Sequence, residues 1–589
     1  MNAKCYPLTS PAAWRFWMTP LGVFGLCLVA ALVVRVAVLQ DMSSAVLSCR
    51  WCATPAVIKA DVPYLVALAL LFAVSTLRPV RWWALLWRVP AVMGFWLYVL
   101  DIATMVQFNS RFMIADARIY LADAELAVSV LDQAPLSVAI ACTLLVALSG
   151  WWWIRISPQH ALSRRFGLTG AALMLSVAGL ALLLPTPGYV HQWALENVLA
   201  ANWPTGIDER YGAQNLGHLQ TDPAPYYCTS TPAHRDNVVV LVLESWSPYH
   251  SQRWSGLNDW TPRLDRLAGE GTWFSRLHAG GSTTNDGLVS LLTGRQLVLP
   301  FTPPTQTEAF EGAWRRAEQA LPHALAARGY ERSFLTSGDL SFTHKGEWLS
   351  HIGFDTLQGH DTPAFDGLAR HHFNAVEDAA LYEHALSFLR QRQRSPHPQF
   401  VVIENVSTHH PFVHPDTHER SEEQVFRYMD DTAADFIEAL KRDGFFGNGL
   451  LVVVSDHRAM TMMSREEHAL LGRAAASNVP GFILTGEKGV GEVSGLYHQA
   501  DLMPTLLAHV SEPPYCHQSP PRSLLNPDDT WPACVFHARG DQRDLVNVFC
   551  PQGQGVIRVD GDDSRFVRAS MLSRPLKRDL LQRLARERQ

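Results

Sequence analysis

Long unbroken apolar runs occupy the first third of the chain, and short apolar runs separated by amphipathic stretches occupy the rest. The long runs, at 21–39, 62–77, 89–107, 136–156 and 166–184, approach the roughly 20 residues a helix needs to cross a bilayer. Trp82, Trp83, Trp151, Trp152 and Trp153 stand near their ends, as interfacial tryptophans do. Arg35 falls inside the first run and is expected near a membrane face. That run lacks a small-residue cleavage site and is followed by further spans, so it reads as a span rather than a removed signal. Lys4 and Arg15 precede it, Arg78 and Arg81 follow the second run, and Arg155, Arg164 and Arg165 follow the fourth. This spacing predicts five spans with the N-terminus in the cytoplasm and everything after about residue 186 outside. The acidic loop 109–135 falls on the outer side.

Residues 186–236 read as a juxtamembrane connector punctuated by Pro, Gly and Asn, with an amphipathic piece at 191–203 lying along the membrane. The runs 238–243, 400–403 and 450–454 are short and continuously apolar, which suits strands covered on both faces. Helical patterns at 312–328, 376–392 and 424–442 alternate with them, so the second part is expected to be α/β. The expected organisation is a five-helix membrane domain over 1–185, the connector, and a catalytic domain over 237–589.

A chain of 589 residues exceeds one core in any case. Its net charge of -6 gives no footprint for a nucleic-acid partner. Of nine cysteines, Cys228, Cys516, Cys534 and Cys550 fall in the part expected to be exported and are enough for two disulfides with three connectivities. Cys49 and Cys52 form a further close pair in a predicted outer loop.

The candidate chemistry stands at strand ends, the edge where open α/β sheets collect ligands. VVVLVLESW ends in Glu244, and LLVVVSDHR ends in Asp456 and His457. Between them lies GGSTTNDGLVSLLTG at 280–294, where Gly280 and Gly281 permit positive φ and close approach before a helical pattern. Thr, Ser and Asn there are ordinary helix caps, and a helix start also faces backbone N–H groups toward an anion. Two carboxylates, an imidazole and a threonine hydroxyl complete a divalent-metal donor set in which the hydroxyl becomes a nucleophile.

Taken with GFD at 353–355, STHHPF at 407–412, YMDDTAADF at 428–436 and QADLMPTLL at 499–507, the order of these motifs resembles the lipoteichoic-acid synthase branch of the alkaline phosphatase/sulfatase superfamily over about 237–510. The five-span domain before it is similar to that branch's architecture. The resemblance implies an alkaline phosphatase/sulfatase-like α/β external domain and one divalent metal ion, Mn2+, Mg2+ or Zn2+. It implies Glu244, Thr284, Asp456 and His457 as ligands, with Thr284 also the nucleophile because the reactive Thr lies three residues before a small residue, here Gly287. It maps the His-x-Pro-aromatic element to His409, which would contact the phosphate or protonate a leaving group, with His410 as its neighbour.

Two departures stand out. Arg458 follows the Asp-His pair where the family often has Gly, and could add an anion contact. Around FTHKGEWLSHIGFD the headgroup contacts of the family do not match residue by residue, leaving Lys345 and Trp348 as substrate-binding candidates. The Cys-x-Pro-x-Arg motif of formylglycine sulfatases does not occur, since Cys5-Tyr6-Pro7 lacks the Arg. The expected function is therefore transfer of phosphoglycerol or phosphoethanolamine from a phospholipid donor to a glycan or lipid acceptor, at the inner or plasma membrane, with the catalytic domain periplasmic or extracellular. The alternatives are a hydrolase of the same fold and a non-catalytic lipid sensor.

Overall fold

The computed structural model describes residues 20–44, 53–77, 80–108, 111–114, 117, 164–184, 192–202, 227–229, 233–298, 317–371, 374–517, 523–527, 534–540 and 544–587. The chain divides into two compact units, one centred on Met1–Leu121 and Val130–Pro204, the other on Thr205–Met460 and Glu466–Gln589.

In the first unit, three helices among the described residues are long and apolar enough to cross a membrane: Pro20–Gln40, Thr54–Val74 and Arg81–Val106. The fourth expected run, like Cys49 and Cys52, lies outside the described residues. The fifth forms the Arg164–Leu182 helix, whose apolar part, Thr169–Leu182, is shorter than a span. Phe24 stacks on Phe72 with ring centroids 4.5 Å apart, while Val29, Val33, Met93, Leu173 and Leu180 face outward, as suits contact with lipid.

The second helix begins eight residues before the predicted apolar run, Thr54 against 62, and so takes in Lys59 and Asp61. Asp61 is fully buried and pairs with Arg35 Nε at 2.9 Å, and Tyr98 donates to the same carboxylate oxygen at 2.8 Å. Arg35 also stands 3.6 Å from Asp101, which Arg111 grips with two guanidinium nitrogens at 2.8 and 2.6 Å. The backbone carbonyls of Ala194 and Glu196 accept further donors from the two arginines, and Arg35 Nη1 donates to the Met105 sulfur. Arg35 is therefore 1 % exposed, enclosed within a charge network. Such groups inside a bundle persist only when paired.

The second unit is α/β. Its main sheet has eight strands, β1 (Asn237–Leu243), β2 (Thr272–Phe274), β3 (Glu331–Thr336), β4 (Thr356–Gln358), β5 (Gln399–Glu404), β6 (Gly449–Ser455), β7 (Gly481–Leu484) and β8 (Gly491–Val493), in the order β8-β2-β7-β6-β1-β5-β3-β4. The run β6-β1-β5-β3-β4 is parallel, and β7 pairs antiparallel with both β6 and β2, so the sheet is mixed. Val238, Val240 and Val242 pack on one face against the helices Thr284–Thr293 and Leu502–Val510. Val239, Leu241 and Leu243 pack on the other against Pro262–Ala268, Asp378–Arg392 and Glu422–Arg442. Covering both faces is why the strand reads as a continuous apolar run, each fully buried Val or Leu contributing about 1.5–3 kcal/mol.

A smaller antiparallel sheet of Val535–Ala538, Leu545–Cys550, Gly553–Arg558 and Arg565–Ser570 packs with the Arg574–Glu587 helix around Phe536, Val548, Ile557, Leu580 and Leu584. The cysteines pair as Cys228–Cys516 and Cys534–Cys550, one of the three connectivities. Cys228–Cys516 joins Tyr227–Thr229 to its antiparallel partner Tyr515–His517.

Candidate active site

The carboxyl ends of β1 and β6 lie side by side, since Leu243 pairs with Ser455, and this register brings Glu244 next to Asp456 and His457. All three side chains are buried. The chain leaves β1 through Ser245 at φ 61°, a left-handed conformation unusual for a residue with a side chain. That turn lets Ser245 donate its N–H to Asp456 Oδ1 at 2.8 Å and its hydroxyl to Glu244 Oε1 at 2.6 Å. Glu244 is held from behind by Asn405, whose Oδ1 accepts the Glu244 N–H at 2.7 Å, and by Thr408, whose hydroxyl donates to the Glu244 carbonyl at 2.7 Å.

The hydroxyls of the two threonines go to different partners. Thr283 is the N-cap of the Thr284–Thr293 helix, its hydroxyl accepting from the Asp286 N–H at 3.3 Å. Thr284, the first helical residue, instead donates its hydroxyl to Glu244 Oε2 at 3.0 Å. The glycines before them serve close approach rather than positive φ. A Cβ on Gly280 would meet Ser290 Oγ at 1.9 Å, and one on Gly281 would meet Asp286 Oδ2 at 2.4 Å. Gly287 packs the helix directly on the β6 end, where a Cβ would lie 2.2 Å from the Asp456 carbonyl oxygen.

The donor set fits a divalent cation. Asp456 Oδ2 and His457 Nε2 are buried without a hydrogen-bond partner, a costly arrangement unless something else satisfies them. His457 Nε2 stands 3.4 Å from Asp456 Oδ2 and 3.5 Å from Glu244 Oε1, and the ligating atoms of the three residues lie within 4.8 Å of one another. His457 Nδ1 donates to the Arg458 carbonyl at 2.8 Å, which orients the ring with Nε2 facing the carboxylates. Burial works to raise the Glu244 carboxyl, yet His457 and His409 outweigh it and hold it at about 2. Burial and the neighbouring Glu244 charge push Asp456 well up. Two carboxyls this close resist ionising together without a cation.

His409 interacts electrostatically with Glu244 and His457, and burial lowers its pKa more than Glu244 raises it. Its Nδ1 donates to the His410 carbonyl at 2.6 Å, so the neutral ring keeps Nε2 as an acceptor. The His410 ring packs against Phe412 at 5.3 Å. Lys345 donates to both oxygens of buried Glu404, at 2.7 and 2.9 Å; burial raises that carboxyl, and Lys345 opposes the shift. Glu404 ends β5 beside Val242. Trp348, expected as a substrate contact, is fully buried in the core with Leu349 and Ile352. Arg458, expected as an anion contact, pairs with Glu467 at 2.9 and 2.7 Å and lies over the Tyr249 ring. Asp430 of YMDDTAADF accepts the Arg263 and Leu264 N–H groups and caps the Pro262–Ala268 helix, a structural use of that motif.

Two positions went unassigned in the sequence. Gln499, which opens QADLMPTLL, donates to the Ser455 and Asp456 carbonyls at 2.7 Å each and accepts the Gly280 N–H at 2.8 Å, bridging the Asp456–His457 turn to the threonine loop. His537 of the smaller sheet reaches the Gly281 carbonyl at 3.2 Å, and the Ala538 N–H donates to Gly280 at 3.1 Å. Gln499→Ala leaves three buried backbone groups without partners, so it is expected to cost about 2–3 kcal/mol and to lower turnover more than substrate affinity. Chemical denaturation and steady-state kinetics check both.

A Sulfatase family model matches residues 236–512. Phosphoglycerol transferase I of Xanthomonas euvesicatoria pv. vesicatoria is 26% identical over 261 residues, covering 40% of this chain and 36% of that protein. Lipoteichoic acid synthase of Staphylococcus aureus is 23% identical over 318 residues, covering 49% of this chain and 47% of that protein. The match thus spans between about a third and a half of these relatives' own length. A solved alkaline phosphatase superfamily protein from Vibrio parahaemolyticus superposes with a TM-score of 0.52 at 17% identity, covering 65% of this chain and 95% of that one. Strand-end acids, a helix-start threonine and the fold agree: residues 236–512 match the Sulfatase model and share the α/β fold of that alkaline phosphatase superfamily structure.

Proposed function

We propose that this protein is a membrane-anchored transferase that moves phosphoglycerol from a phospholipid to a glycan or lipid acceptor through a phosphothreonine at Thr284. The observation that carries the reading is the Thr284 hydroxyl at a helix start, 3.0 Å from Glu244 and beside the open Asp456 Oδ2 and His457 Nε2. The relatives named phosphoglycerol transferase and lipoteichoic acid synthase favour glycerol over ethanolamine as the headgroup. Glu244, Thr284, Asp456 and His457 would hold a divalent cation, whose charge acidifies a hydroxyl and offsets that of a phosphate; one nitrogen with oxygen donors suits Mn2+ or Mg2+, and four-coordinate Zn2+ equally.

In the first half-reaction Thr284 Oγ1 bonds to phosphorus and the bond to the diacylglycerol oxygen breaks, the Thr284 proton ending on the departing diacylglycerol. In the second, an acceptor hydroxyl bonds to phosphorus, the Thr284 Oγ1–P bond breaks, and the acceptor proton returns to Thr284. His409, buried beside Glu244 and His457, exchanges the proton with the leaving and entering oxygens. N–H groups at the start of the Thr284–Thr293 helix stabilise the phosphoryl charge. The apolar N-terminal helices keep the site at its lipid donor, and the two disulfides favour an external catalytic domain in an oxidising compartment.

The test is the fate of a headgroup label. With the full chain in vesicles whose phospholipid carries labelled glycerol, the label is expected in a glycan or lipid acceptor, matched by diacylglycerol. Label released only as free glycerol phosphate would make the protein a hydrolase.

A further inference from the structure

At the opposite end of β1 from Glu244, a second cluster of ligating side chains comes together. Asp236 immediately precedes the strand, His234 lies two residues earlier, and His509 sits near the end of the Leu502–Val510 helix. The backbone ties the segments, since the His234 N–H donates to the His509 carbonyl at 2.9 Å. His509 Nε2 meets Asp236 Oδ2 at 2.8 Å, and His234 Nδ1 stands 4.0 Å from the same oxygen. The imidazoles stack with centroids 4.3 Å apart and planes 7° apart. The three ligating atoms lie within 4.8 Å of one another.

A hydrogen bond explains the His509–Asp236 pair but gives His234 Nδ1 no role at 4.0 Å. Two imidazoles and a carboxylate make the donor set of a zinc site with one position left for water. Tetrahedral bonds of about 2.0–2.2 Å separate ligand atoms by about 3.3 Å, a value that the 2.8 and 4.0 Å separations bracket. The His234 side chain is 51% exposed, so its ring can swing out of the stack, and Asp236 at 30% leaves solvent access for the fourth ligand.

We propose that His234, Asp236 and His509 form a second metal site, of the Zn2+ class, that pins the segment leading into β1 onto the Leu502–Val510 helix. On binding, His509 carries its proton on Nδ1 and presents Nε2. The cation fastens the same two parts of the chain as Cys228–Cys516 does a few residues away, which gives that junction one covalent staple and one reversible one. The site is independent of the reaction proposed for Thr284.

The test uses full-length protein in detergent with its disulfides intact, stripped of metal and titrated with Zn2+ against a chromophoric chelator. An Asp456→Asn background removes a carboxylate from the main site. That variant is expected to retain a zinc equivalent, to show the visible bands of tetrahedral Co2+, and to gain thermal stability with Zn2+. Adding His234→Ala, at a half-exposed position, is expected to abolish all three while leaving the metal-free melting temperature unchanged. The proposal is overturned if Asp456→Asn binds no zinc, or if it binds zinc with the same stoichiometry and affinity after His234→Ala.

Discussion

Thr284→Ala is expected to lower headgroup transfer by roughly 10^4-fold or more, the scale of losing a nucleophile, while Thr283→Ala stays within a few fold of the parent. The contrast follows from where the two hydroxyls go. Thr284 donates to Glu244 of the Glu244–Asp456–His457 cluster, whereas exposed Thr283 accepts from the Asp286 N–H. Losing the cap is expected to cost about 0.5–2 kcal/mol of stability, so Thr283→Ala melts earlier yet still turns over. Thr284→Ala removes no core packing and is expected to melt as the parent does. Labelled-headgroup assays and thermal melts on the full chain separate the two. Equal turnover in both variants would return the loop to a purely capping role.

Chelation of divalent cations is expected to reduce turnover by roughly 10^3-fold, equivalent to several kcal/mol of lost charge stabilisation, with recovery on adding back Mn2+, Mg2+ or Zn2+. The expectation rests on buried Asp456 Oδ2 and His457 Nε2, which lack partners, and on two carboxyls held close together. Asp456→Asn keeps an oxygen for the Ser245 and His457 N–H groups but replaces the open carboxylate oxygen with an amide. Its turnover is therefore expected to match that of the chelated parent and not to recover on adding metal. Full turnover of chelated parent protein would remove the cation from the account.

The strands that carry the site were legible because both faces of the sheet are covered. The predicted runs 238–243, 400–403 and 450–454 correspond to Asn237–Leu243, Gln399–Glu404 and Gly449–Ser455. Their ends put Glu244, Asp456 and His457 together by register alone. Three-residue strands such as Thr272–Phe274 and Thr356–Gln358 are too short to show a period, and Glu331–Thr336 opens on polar residues, so these escaped. Gln499 and His537 are invisible to local pattern because their partners at Gly280 and Gly281 lie more than 200 residues away. Trp348 and Arg458 show the converse, since aromatic and basic residues near a site motif can belong to packing and to an internal ion pair. In the N-terminal unit, the apolar run 62–77 understates the Thr54–Val74 helix, which includes Asp61, paired with Arg35 of another helix.

The central claim is that Thr284 carries the transferred group, and one measurement tests it most directly. Full-length protein is incubated with a phospholipid bearing a glycerol headgroup and no acceptor, then quenched and digested, and the GGSTTNDG peptide is sequenced by mass spectrometry. The account predicts a glycerophosphoryl group on Thr284, matched by released diacylglycerol and discharged when acceptor is added. Diacylglycerol release with this peptide unmodified at every time point, or with the group on Thr283, would contradict it.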